Sequence, residues 1–75
     1  MKISSALGEV LRRARQARGL TLHDVQRISG GRFKPSSVGS YERGARSVSV
    51  PLLYELGSLY GVPPDRLLAQ AIEIA

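Results

Sequence analysis

Between residues 32 and 46 the chain sets small hydroxyl side chains inside a frame of cations. Ser36, Ser37 and Ser40 can each donate and accept hydrogen bonds, Pro35 opens the run, and Gly39 adds no bulk. Arg32 and Lys34 come just before, and Arg43 and Arg46 just after. Short polar side chains let a backbone come close to another surface. Guanidinium and ammonium groups on either side bind anionic oxygens. That combination suits a polyanion whose surface also carries hydrogen-bonding edges.

Other candidate constellations are poorer. His23 is the only histidine and stands beside Asp24. Neighbours on a helix do not face each other, and no serine is placed by sequence to complete a triad with them. One histidine without a cysteine cannot anchor a zinc site. Gly30-Gly31 lacks the preceding strand and the Gly-Lys-Ser/Thr ending of a phosphate-binding loop. The expectation is a protein that is not an enzyme and needs no cofactor or metal.

The charge pattern agrees with a polyanionic partner. The 75 residues hold 11 Lys and Arg against 6 Asp and Glu, a net +5. The excess lies on one part of the chain. Arg12, Arg13, Arg15, Arg18 and Arg27 join the four cations already named, opposed up to Arg46 only by Asp24 and Glu42. Beyond Ser47, Arg66 faces Glu55, Asp65 and Glu73. A one-sided basic surface attracts a polyanion and speeds its encounter. With 43 % hydrophobic residues and no cysteine, one small core must stabilise the chain by packing alone. The expected organisation is one domain over residues 1–75. No stretch approaches the ~18 apolar residues of a membrane span, and no signal-peptide core follows Met1. The expected location is the cytoplasm.

Periodicity predicts five helices and no strand. The first runs from about Ser5 to Ala17, with Leu7, Val10, Leu11 and Ala14 on one stripe and Gly19 as its stop. The second starts at Thr21, whose pairing with Asp24 fits a capping box, and turns Leu22, Val25 and Ile28 inward. Gly30-Gly31 ends it. The third begins near Pro35 and runs to about Arg43, with Val38 and Tyr41 inward. Gly39 and the serines are poor helix formers, so packing must hold this segment helical. Phe33, in the turn ahead of it, is expected to plug the core. The fourth helix runs from about Val50 or Pro51 to Tyr60. The fifth starts at Pro63-Pro64 and carries the apolar residues Leu67, Leu68, Ala71 and Ile72.

Two short helices joined by a glycine-containing turn, the second small and polar outside, form a helix-turn-helix pattern. Its second helix would enter the major groove of duplex DNA and read base edges while flanking cations hold phosphates. Two charges fall on inner faces. Arg15 lies eight residues after Leu7, and Glu42 lies four after Val38. An inward charge is costly unless paired, so these two are expected to form a partly buried salt bridge.

Gly19-Leu20-Thr21, Ser29-Gly30 and Tyr41-Glu42-Arg43-Gly44 resemble the Cro/C1-type (lambda repressor-like, XRE) helix-turn-helix family. Gly31-Arg32-Phe33-Lys34, Val38-Gly39-Ser40 and Tyr60-Gly61-Val62-Pro63 resemble its actinobacterial developmental regulators more closely still. The resemblance covers nearly the whole chain. It implies a five-helix, all-α domain whose helices 2 and 3 form the helix-turn-helix. It places groove-reading positions at Pro35, Ser36 and Ser40, with Ser37 adjacent, and phosphate-contacting positions at Arg43 and Arg46. It also matches Arg15 to the arginine that pairs with the signature glutamate. Many members carry a phosphate-orienting Gln where this chain has Leu22. The turn from Gly30 to Ser37 is longer than in the phage repressors, which brings Arg32 and Lys34 within reach of DNA.

The implied function is sequence-specific regulation of transcription, with repression the expected mode. The expected partner is a double-stranded palindromic site bound by a weak homodimer. No small-molecule ligand is expected on these residues. The apolar Ile72, Ile74 and Ala75 could complete the core or form the dimer contact. An antitoxin-like or coactivator-like protein-interaction module is the alternative, with Ile72-Ile74 its candidate surface.

Overall fold

The computed structural model describes all residues, Met1–Ala75. It contains five helices: α1 (Ile3–Ala17), α2 (Leu22–Ile28), α3 (Pro35–Glu42), α4 (Val50–Tyr60) and α5 (Pro64–Ile74). The apolar stripe of α1 is the spine. Ala6, Leu7, Val10 and Leu11 are buried and meet Val25, Val38, Leu53, Leu56, Tyr60, Leu67 and Ala71 from the other helices. The most extensive helix-on-helix packing joins α1 to α5, and α3 packs on both α1 and α2.

Local chemistry fixes the helix ends. Thr21 caps α2 by a reciprocal box: its hydroxyl accepts from the Asp24 N–H at 3.1 Å, and the Asp24 carboxylate accepts from the Thr21 N–H at 2.9 Å. Pro35 sits in the first turn of α3, where a missing N–H costs nothing. Ser49 caps α4 by accepting from the Leu52 N–H.

The α2–α3 turn needs its glycines. Gly30 and Gly31 have φ of 65° and 84°, in the left-handed region that a side chain disfavours. The Ser29 hydroxyl donates to the Gln26 carbonyl and accepts from the Phe33 N–H, each at 3.1 Å. Phe33 is thereby turned into the core, where it is buried.

The helix α3 is short and rich in poor helix formers, and its position comes from α1. At Gly8 the two helices approach so closely that an added Cβ would press on the backbone carbonyls of Tyr41 and Glu42. No larger residue fits there without parting α1 from the end of α3.

Several positions differ from expectation. The helix α1 begins at Ile3, two residues before Ser5, because nothing at Lys2 or Ser4 stops it. Ile28, expected inward, points outward at 39 % exposure, as do Leu68 at 41 % and Ile72 at 62 %. A small domain has few inward seats per helix. Val25, Leu67 and Ala71 take them, leaving apolar residues one helical step away at the rim. Ile74 packs against the core while Ile72 does not, so the C-terminal residues do not make one apolar surface.

Candidate nucleic-acid interface

The orientation of α3 depends on one buried arginine. Arg15 Nε donates to Glu42 Oε2 at 2.7 Å, Nη2 donates to Oε1 at 3.0 Å, and Nη1 donates to the Leu20 carbonyl at 2.7 Å. Arg15 is only 8 % exposed. The fork therefore ties α1, the α1–α2 turn and the end of α3 together, with both charges satisfied. The hydrogen bond to Glu42 raises the Arg15 pKa above its usual value despite the opposing effect of burial. The Tyr60 hydroxyl is buried without a hydrogen-bond partner. Burial, then the charge of Glu42, holds this phenol well above its usual pKa.

Outside this junction, Ser36, Ser40 and Arg43 recur at helical spacing on one face of α3. Ser36 is exposed, and its hydroxyl makes no hydrogen bond within the protein. The Ser40 hydroxyl donates to the Ser36 carbonyl at 3.0 Å. Arg43 extends past the helix end and touches Ser40 Oγ only at 3.5 Å, so its donors are nearly uncommitted. Pro35 and Ser37 are half-buried beside this face.

The framing cations fall into two groups. Lys34 is exposed at the N-cap of α3 and makes no ion pair. Arg46 is exposed in the loop after α3, with its guanidinium 5.3 Å from the Tyr41 ring centre. The ring holds that charge beside α3 without neutralising it. Arg32 differs. It pairs with Glu55 of α4 at 3.1 Å and lies over the Phe33 ring at 5.3 Å. Periodicity gave no sign of this pair, because its members are 23 residues apart on different elements. The structure thus brings Lys34, Ser36, Ser40, Arg43 and Arg46 around α3 and engages Arg32 with α4.

His23 is exposed in the first turn of α2. No group of three or more His, Cys, Asp or Glu is placed to hold a metal ion, and no helix is long and apolar enough to cross a membrane.

Comparison with known proteins agrees with this geometry. The model of a helix-turn-helix domain family matches residues 6–70. The chain is 37 % identical over 73 residues to an uncharacterised HTH-type transcriptional regulator, y4dJ of Sinorhizobium fredii, covering 97 % of this chain and 92 % of that one. Among solved structures it is similar to the DNA-binding domain of BldD from S. venezulae, with TM-score 0.83 and 48 % identity over 89 % of this chain and 97 % of that one. It is also similar to the clp gene regulator ClgR of Corynebacterium glutamicum, with TM-score 0.87 and 30 % identity over 97 % of this chain and 76 % of that one. The five-helix fold, the turn between α2 and α3 and these relatives agree: the chain belongs to the Cro/C1-type (lambda repressor-like) helix-turn-helix family of transcription regulators, close to BldD.

Proposed function

We propose that this chain is a sequence-specific duplex-DNA-binding regulator that inserts α3 in the major groove and represses transcription. One observation carries the reading. The outer face of α3 presents Ser36, Ser40 and Arg43 with few internal commitments, between the unpaired cations Lys34 and Arg46. In this reading Ser36 and Ser40 meet base edges, with Pro35 and Ser37 shaping the approach, and Arg43 at the helix end meets the phosphate backbone. Lys34 and Arg46 hold phosphates on either side of the groove. Arg32 contributes least, because Glu55 already offsets its charge. The relative BldD is described as having a DNA-binding domain, and that description supports the reading.

Residues 1–75 act as one domain, in the cytoplasm and without a cofactor, as a weak homodimer on a palindromic site. Leu68 and Ile72, exposed one turn apart on α5, offer apolar surface for that contact.

Selection from a random duplex library near physiological salt tests this. The expected result is enrichment of a short palindrome. Salt-sensitive retention with no motif would replace specific reading with non-specific binding. Failure to retain any duplex would point instead to a module that holds a protein partner.

A further inference from the structure

A polar cleft of about 590 Å³ opens between α1 and α3, beside the outer face of α3. Arg12 of α1 and Arg43 at the end of α3 both line it, together with Ser5, Leu22 and Gly39. Two carboxylates, Glu9 and Glu42, and a third cation, Arg15, also border it. Both carboxylates are already paired: Glu9 with Arg13 at 3.2 Å, and Glu42 with Arg15 at 2.7 Å. Arg12 takes part in no ion pair, and the nearest polar contact of Arg43 is the long one to Ser40. Once the pairs are set aside, two arginines without a carboxylate partner line the same cleft.

At Gly39 an added Cβ would lie 3.0 Å from Arg43 Nη1 and 3.8 Å from Leu22 Cδ1, so the Arg43 guanidinium lies back over this glycine at the cleft. Arg43 also belongs to the outer face of α3, which makes the cleft continuous with that face. An anion held by both arginines would therefore lie alongside whatever α3 touches. Planar guanidinium forks suit phosphate oxygens in particular.

We propose that Arg12 and Arg43 together grip a backbone phosphate of the duplex in this cleft, so that α1 contributes directly to DNA binding. The proposal rests on the DNA-binding function above and adds Arg12 to its phosphate contacts.

The test measures affinity for a random-sequence duplex across a range of salt concentrations. Each phosphate neutralised adds roughly 0.9 to the slope of log affinity against log salt. Arg12→Ala/Arg43→Ala, which strips both guanidinium groups from the cleft, is expected to lower that slope by about one unit and Arg12→Ala alone by a smaller part of it, while Arg12→Lys, which keeps the charge, restores it. Arg66→Ala, which removes an exposed cation of α5 outside the cleft, should leave the slope as it is. Arg12 is exposed, so neither of its single variants should change the thermal midpoint. An unchanged slope for Arg12→Ala overturns the proposal while leaving DNA binding intact. So does an equal loss for Arg66→Ala, since net charge alone would then explain the effect. A wild-type chain that binds no duplex overturns both this proposal and the function beneath it.

Discussion

The inner and outer sides of α3 treat charge in opposite ways. On the inner side, Glu42 is held by two donors of Arg15, whose third bond goes to the Leu20 carbonyl, and both side chains are nearly removed from solvent. On the outer side, Arg43 and Arg46 carry their charges into solvent with no carboxylate partner. A satisfied buried pair fixes one orientation and cannot easily change partners. An unpaired exposed cation contributes little to the fold and is free to meet a ligand. The division makes α3, poor in intrinsic helix propensity, a rigid support for residues that are themselves uncommitted.

Breaking the inner side gives the largest effect. Glu42→Ala leaves Arg15 buried without its counter-charge and should cost about 3 kcal/mol in a denaturant melt. A loss under about 1 kcal/mol would show that the pair behaves like an exposed one. Breaking the outer side should leave stability alone. Lys34→Ala and Arg46→Ala should each lower the salt slope of duplex binding by about one unit with an unchanged melt. Unchanged slopes for both would remove them from the interface.

The smallest effect lies at the start of α2. Hydrogen bonds from the Thr21 backbone and hydroxyl, then the neighbouring Arg27, hold the Asp24 carboxyl below its ordinary pKa. A carboxyl depressed in the folded state stabilises the fold above its unfolded value near ~3.9, and the benefit fades as pH falls through the folded value. Asp24→Ala should therefore melt below wild type at neutral pH, with the gap narrowing below about pH 4. A gap independent of pH would mean that the ionised form adds nothing.

How legible this was in the sequence follows from the range of each interaction. The capping box spans three residues, so Thr21 and Asp24 declare it locally. Helical phase alone turns Arg15 and Glu42 inward, and there the structure pairs them. Phase does not say how wide the buried stripe is. Ile28 therefore reads as core although it lies at the rim, as Leu68 does. The Arg32–Glu55 pair joins a turn to a distant helix and leaves no periodic trace. Arg12 did leave one, since it stands one turn before Arg15 on α1 and so borders the same inward edge. It counted there only as part of the basic surface, because the cleft it lines exists only once α1 and α3 are packed.

On this reading the outer face of α3 reads bases while its inner face only holds it in place. The most direct measurement repeats the duplex-library selection with Ser36→Ala/Ser40→Ala beside wild type. The expected result is relaxed preference at a few positions of each half-site, with the salt slope and the melt unchanged. An identical motif from both proteins would contradict it, because the serines would then face the groove without reading it.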